Sequence, residues 1–159
     1  MRVGIGYDLH RVAEGRKLVL GGVEVPHDRG LAGHSDADVL LHAIADAMLG
    51  AAGLPDIGRC FPDDDPQYEG IASSDLVDRV LELIRSKGLI PHHVDAVVIA
   101  EKPRLAEHID RIVANIARLL ALPRDMVGLK AKTNEGLGPL GSGEAIAAYA
   151  VVVLKEQSG

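Results

Sequence analysis

Asp8 and His10 stand two residues apart in the run Gly6-Tyr7-Asp8-Leu9-His10. Alternate side chains of an extended strand share a face, so a carboxylate and an imidazole project from one side while Leu9 points from the other. A second imidazole, His42, falls in the segment 35–50, whose apolar spacing predicts a helix. Two histidines and one carboxylate can hold a metal while leaving a coordination position open for chemistry. An Asp-x-His pair alone also occurs at solvated strand ends, so its weight depends on the residues around it. In the helix, Asp38, His42 and Asp46 recur at intervals of four and share a face. Asp46 is placed to accept the second ring N–H of His42, as carboxylates do behind metal-bound histidines; a solvated acidic stripe is the other reading.

Three further motifs invite chemistry. The run 56–66 carries Pro62, Pro66 and the triple acid Asp63-Asp64-Asp65, and is either a solvated loop or one offering carboxylates to hydroxyls and cations. Gly136, Gly138 and Gly141 match G-x-G-x-x-G, but a dinucleotide site needs a helix opening there, and the residues that follow are Val-rich and strand-like. His92 and His93 alternate across a strand and are surface or packing residues.

The elements that must position these groups follow from composition and pattern. The chain has 159 residues, no Trp, one Phe and three Tyr, so its core is aliphatic and large enough to need no staples. A net charge of −6 argues against a nucleic-acid or anionic-membrane surface. Cys60 stands alone and cannot form an internal disulfide; with no secretory apolar region after Met1, a cytoplasmic location is expected. The longest apolar run, 145–154, is too short to span a bilayer.

Strands are expected at 2–7, 92–100, 127–133 and 144–155, with an extended ribbon at 17–25 broken at Gly21-Gly22. Helices are expected at 35–50 with Ser35 as N-cap, from Ser73 or Ser74 to Lys87, and at 104–121. Residues 26–34 are expected to be a loop. This order predicts a single domain over 1–159, α/β (α+β), with a mixed β-sheet and three helices packed on it. The run 145–154 is apolar but for the Tyr149 hydroxyl, which suggests a strand covered on both faces, more cover than one small chain supplies.

Taken together, Gly6 to Arg11, Gly33 to Asp38 with His42, Asp56-Ile57-Gly58, Phe61-Pro62-Asp63, and Lys130-Ala131 through Gly143-Glu144 resemble the 2-C-methyl-D-erythritol 2,4-cyclodiphosphate synthase family. The resemblance runs through the whole chain, in order and at the family's spacing. It implies an enzyme of the non-mevalonate isoprenoid pathway that turns 4-diphosphocytidyl-2-C-methyl-D-erythritol 2-phosphate into the cyclic diphosphate and CMP. It implies zinc on Asp8, His10 and His42, and a second divalent cation, magnesium or manganese, on Glu135. His34 and Ser35 match phosphate contacts, Asp56, Ile57 and Gly58 the erythritol contacts, and Phe61, Pro62, Asp63, Asp64 and Asp65 an adjoining substrate loop. The stretch Ala100 to Ala106, including Pro103, Arg104 and Leu105, with Ala131 and Thr133, matches the cytidine pocket, and Lys132 and Asn134 are further substrate contacts. His34 and Thr133 would donate hydrogen bonds as charge develops. The partners implied are the cytidine diphosphate substrate and two further copies, in a homotrimer with active sites between subunits.

Three positions leave the family pattern. Pro139 replaces a common aromatic residue and Ser142 a common Arg, at a central trimer cavity that in the family can hold an isoprenoid diphosphate. Lys132 replaces a frequent Thr. Other classes that could use the same triad are a mononuclear metal hydrolase and a non-haem iron oxygenase, although three helices fit poorly with the β-barrel such oxygenases favour. In a non-catalytic trimeric nucleotide-binding module the acids would be solvated.

Overall fold

A computed structural model describes residues 1–33, 35–62 and 71–157. The strand carrying the Asp-x-His pair, β1 (Arg2–Glu14), runs well beyond the Tyr7 expected as its end. Partners keep it extended: β7 (Ala145–Glu156) pairs with it from Arg2 to Arg11, and β4 (Arg29–Leu31) from Val12 to Glu14. The segment 26–34 is therefore not all loop, because β1 recruits its middle as an edge strand. Leu18–Leu20 (β2) and Val23–Val25 (β3) form a separate hairpin. Its turn is Gly21-Gly22 with φ of 60° and 73°, the two positive values that a tight two-residue hairpin demands.

The main sheet has the order β4-β1-β7-β5-β6, with β5 at Leu89–Ile99 and β6 at Val127–Lys132. β5 runs antiparallel to β7 and parallel to β6, so the sheet is mixed as expected. β5 begins three residues earlier than the expected strand and takes in Pro91, beside which the pairing shows an irregularity.

Three longer helices cover the sheet: α1 (Val39–Ala51), α3 (Ser73–Ser86) and α4 (Ile109–Leu120). One-turn helices α2 (Ile57–Cys60) and α5 (Gly138–Gly141) fall in the expected loops. Burial of α1 extends around most of its circumference, including Leu40, Leu41, Ile44, Met48 and Leu49, because it is packed between β1 and β7 on one side and α3 on the other. Each such side chain contributes about 1.5–3 kcal/mol. α3 buries Leu76, Val77, Val80, Leu81 and Ile84, the face its spacing predicts.

The N-cap of α1 is Asp38 rather than Ser35. Its fully buried carboxylate accepts from the N–H groups of Leu40 (3.2 Å) and Leu41 (3.0 Å), and also from Gly21 (2.9 Å) and Gly22 (2.6 Å). One side chain thus ties the helix start to the hairpin turn. Helix α4 starts later than expected, since Leu105–His108 forms a turn before it. At α3, Ala72 is the cap, with no side-chain hydrogen bond, so Ser73 does not serve as N-cap.

Candidate active site

β1 places Asp8 and His10 on its inner face, and α1, crossing that face, brings His42 to them. The approach is close because Gly4 and Gly6 carry no side chains: a Cβ on Gly6 would lie 1.9 Å from the Ala43 carbonyl oxygen. Asp8 Oδ2 lies 2.9 Å from His10 Nε2 and 3.0 Å from His42 Nδ1, and the two ring nitrogens are 3.2 Å apart. The other Asp8 oxygen accepts the Leu9 N–H at 2.9 Å, leaving Oδ2 for the cluster.

Those three atoms fit a metal. Ligands about 2.0 Å from a tetrahedral ion are roughly 3.3 Å apart, close to the edges of this triangle. The outer nitrogen of each ring is engaged: His10 Nδ1 donates to the Ala32 carbonyl at 2.7 Å, and His42 Nε2 lies 2.9 Å from Ser73 Oγ. A carbonyl only accepts, so in neutral His10 the Nε2 lone pair points inward. Burial works to raise the pKa of Asp8, but hydrogen bonds and charge from His10 and His42 outweigh it and hold the carboxyl well below the usual range. The hydrogen bond to Asp8 raises His10 above an ordinary imidazole, against the effect of burial.

The triad opens on a cleft of about 230 Å³ lined also by Gly33, Ser35, Asp46, Ile57, Gly58, Phe61, Ile71 and Leu76. Of the expected substrate contacts, Ser35, Ile57, Gly58 and Phe61 therefore join the triad. Asp56 stands at the edge as N-cap of α2, accepting from Arg59 N–H at 3.0 Å, and Pro62 is exposed. His34, Asp63, Asp64 and Asp65 lie outside the described residues.

Asp46 does not back His42. Its carboxylate accepts the Ile57 N–H at 2.7 Å and so fastens α2 to α1, while the place behind the ring is taken by Ser73, whose hydroxyl lies against His42 Nε2 and donates to Asp36. Sequence reasoning missed both residues, because a serine at a helix start is more simply taken for a cap. Arg16 was missed too: its guanidinium donates to the carbonyls of Gly33 (2.9 Å) and Ser35, holding the loop that carries Ser35.

A second cleft, about 190 Å³, gathers the expected cytidine contacts Ala100, Pro103, Arg104, Leu105, Ala106, Ala131 and Thr133 together with Lys132, another expected substrate contact. Asn134 and Glu135 adjoin it. The Glu101 carboxylate accepts the Asn134 N–H at 2.8 Å and the Gly136 N–H at 3.3 Å, shaping the turn in which Glu135 takes a φ of 50°. Thr133 donates its hydroxyl to Glu135 at 3.0 Å, and both side chains are exposed. The two clefts share no lining residue, so one chain does not bring Thr133 to the triad's cleft.

Fold and site together define an α/β protein with a two-histidine, one-carboxylate centre suited to a metal, and a separate cleft at the C-terminal ends of strands β5 and β6, level with the triad but displaced across the sheet. The sequence pattern of the YgbB family spans residues 1–155. The 2-C-methyl-D-erythritol 2,4-cyclodiphosphate synthase of Gloeobacter violaceus is 58% identical over 156 residues, covering 98% of this chain and 96% of that protein. A solved 2-C-methyl-D-erythritol 2,4-cyclodiphosphate synthase superposes with a TM-score of 0.91 at 42% identity, covering 97% of this chain and 100% of the other. A second, described as the CDP-bound form, gives 0.90 at 39% identity with coverages of 97% and 100%. The chain belongs to the YgbB family, that of the 2-C-methyl-D-erythritol 2,4-cyclodiphosphate synthases.

Proposed function

We infer that this chain, as one domain over residues 1–159, converts 4-diphosphocytidyl-2-C-methyl-D-erythritol 2-phosphate to 2-C-methyl-D-erythritol 2,4-cyclodiphosphate and CMP. The observation that carries this reading is the convergence of Asp8, His10 and His42 at the mouth of a cleft that also gathers Ser35, Ile57, Gly58 and Phe61, in a chain of this family. An oxygen of the substrate's 2-phosphate attacks the β-phosphorus; the bond from that phosphorus to the bridging oxygen breaks, and the electron pair leaves with CMP. The nucleophile is already anionic, so no protein base is needed. The cleft's task is to fold the substrate so that attack is intramolecular, which can supply roughly 7–11 kcal/mol.

Zinc on Asp8, His10 and His42 would supply Lewis acidity to the β-phosphate. Asp56 and the backbone of Ile57 and Gly58 hold the erythritol hydroxyls, Ser35 and His34 the phosphate, and Phe61 to Asp65 are further substrate contacts beside them. The cytidine sits against Ala100, Pro103 to Ala106 and Ala131 to Asn134. The Thr133 hydroxyl donates to the departing phosphate, and Glu135 would hold magnesium or manganese, which would offset charge on the leaving group. No helix among the described residues is long and apolar enough to cross a membrane.

The working unit is a homotrimer whose site joins one chain's metal cleft to a neighbour's cytidine cleft. Two features support this. The clefts are separate on one chain, and the sheet face away from the helices exposes Val3, Ile5, Tyr7, Leu9, Tyr149 and Val151. Tyr7 and Tyr149 are cross-strand partners with ring centroids 4.6 Å apart, so this apolar patch is continuous across β1 and β7. A contiguous exposed apolar face of this kind marks an interaction surface, and a second copy of the chain is the occupant this reading assigns to it.

The test is CMP release from the diphosphocytidyl substrate. It should stop with a chelator, return with zinc, and be absent in His42→Ala. Mixing His42→Ala chains with Thr133→Ala chains should restore part of it in hybrid trimers. A fully active, metal-free His42→Ala protein or a fully active monomer in sedimentation would overturn the respective part.

A further inference from the structure

His42 is held from behind by a polar chain that the reaction itself does not require. Its Nδ1 faces Asp8 and His10, so a metal at the triad takes Nδ1 and the ring proton must sit on Nε2. That nitrogen lies 2.9 Å from Ser73 Oγ and only 3.5 Å from Ser35 Oγ, so Ser73 is the acceptor. Ser73 is 0% exposed, and its hydroxyl also meets the Asp36 carboxylate at hydrogen-bond range. An ionised carboxylate can only accept, which fixes the direction of the chain: His42 Nε2–H donates to Ser73 Oγ, and Ser73 O–H donates to Asp36. Asp36 is held in turn by the Ser73 N–H, at 3.2 Å and 3.3 Å from its two oxygens, and by the Asp38 N–H at 3.3 Å.

We propose that Asp36 and Ser73 are positioning residues for the metal centre, a carboxylate–hydroxyl relay that locks the tautomer and ring orientation of His42. The inference rests on the metal reading of the triad given above. Its partner ligand is backed differently: His10 Nδ1 donates to the main-chain carbonyl of Ala32, which no side-chain substitution removes. His42 alone depends on side chains, and they come from two segments, the loop before α1 and the first turn of α3. Groups behind a metal-bound histidine that accept its free N–H set ligand basicity and aim, and losing them typically weakens metal binding or activity about 10–100-fold.

The capping role and the relay role separate cleanly. The Ser73 hydroxyl makes no capping bond; the carboxylate at the start of α3 is Asp36, which accepts the Ser73 main-chain N–H. Ser73→Ala therefore cuts the relay and keeps the cap. Asp36→Asn keeps an acceptor oxygen in place but removes the charge.

The experiment measures zinc affinity of the full chain by competition with a chromophoric chelator, for wild type, Ser73→Ala and Asp36→Asn, with thermal midpoints of the metal-free proteins alongside. In zinc-loaded protein with 15N-labelled histidine, the exchange of the His42 Nε2 proton is followed by NMR. Ser73→Ala is expected to bind zinc about 10–100-fold more weakly with little change in midpoint, and its Nε2 proton to lose exchange protection. Asp36→Asn should show a smaller loss in both, and decides the matter if Ser73→Ala does not fold. Zinc affinity within twofold of wild type in the folded variants, or an unchanged Nε2 proton, would overturn the relay. Wild type without zinc affinity would instead overturn the metal reading beneath it.

Discussion

Gly6→Ala should disable the metal centre without touching a ligand. On the inner face of β1, Gly4 and Gly6 are followed by Asp8 and His10, and α1 lies directly on the two glycines. A Cβ at position 6 would stand 1.9 Å from the Ala43 carbonyl oxygen and 2.8 Å from the Ala47 nitrogen, where ordinary contact begins at 3.4 Å. Both obstacles are main-chain atoms of a helix buried on most sides, so no side-chain rotation relieves them. To admit the methyl, α1 must draw back by roughly 1.5 Å, three times the ~0.5 Å within which a functional constellation must be held. His42, next to Ala43, moves with it, while Asp8 and His10 stay on the strand. Overpacking of this kind costs typically about 1–3 kcal/mol, which for a chain of this size lowers the melting midpoint by roughly 2–12 °C. The larger effect is on function: a ligand misplaced by 1 Å or more costs on the order of 100-fold in turnover. Chelator competition and CMP release measure both. Gly50→Ala, in the same helix with nothing within 4 Å of the added Cβ, is the control and should be neutral or stabilising by up to about 1 kcal/mol. Gly6→Ala protein with wild-type zinc affinity and turnover would refute the claim that the glycines set the distance from strand to helix.

Asp38→Ala should lower stability by more than about 3 kcal/mol in urea unfolding, because four N–H groups, at Gly21, Gly22, Leu40 and Leu41, lose their acceptor at a buried position; a loss under 1 kcal/mol would mean that water replaces it. Zinc affinity should rise with pH: Asp8 raises His10 above 6.5, zinc must displace that proton, and so affinity climbs through the raised pKa and then levels, whereas a flat profile from pH 6 to 9 would exclude His10 as a ligand. The metal-free protein should show the opposite slope there, because stability from protonated His10 is fully present below 6.5 and lost as pH rises through the raised value; the Asp8 contribution is present above 3.8 and lost as pH falls through its lowered pKa. Geranyl diphosphate should bind wild type weakly and a Ser142→Arg, Pro139→Phe double variant more tightly, since the Ser142 hydroxyl is spent on Glu144 at 2.7 Å and position 142 offers no cation; equal tight binding to both proteins would refute this.

What could be foreseen from the residues divides along the range of the interactions that decide them. The period-two pairing of Asp8 with His10, the apolar spacing of α3 and the Gly21-Gly22 turn are local, and local pattern placed them correctly. The length of β1 was not legible, since nothing in residues 8–14 announces that β7 and then β4 will hydrogen-bond to them. Nor was β4, three residues long and extended only because β1 is beside it. The cap of α1 was misassigned for a related reason. Ser35 has the right chemistry, but Asp38 can satisfy two helix N–H groups and two more from the distant hairpin, and a sequence does not reveal that second pair. At the site the misses share one form: Asp46, Ser73, Asp36 and Arg16 all act across elements, and Asp46 and Ser73 had plausible local partners that proved not to be theirs.

β1 also explains why the metal cleft and the proposed subunit interface cannot be separated. Its two faces alternate without interruption, with Gly4, Gly6, Asp8 and His10 toward α1 and Val3, Ile5, Tyr7 and Leu9 away from it. A slip of one residue against β7 would turn the apolar side chains into α1 and the ligands outward, so the pairing Tyr7 with Tyr149 and Asp8 with Ala148 fixes the site as well as the patch. Covering Val3, Ile5, Tyr7 and Leu9 in an assembly would stabilise the one register in which the triad can form. A surface substitution such as Ile5→Lys, remote from the reacting atoms, is therefore expected to lower zinc affinity and trimer content together, and a variant that stays monomeric with full zinc affinity would show that α1 alone suffices to hold the strand in register.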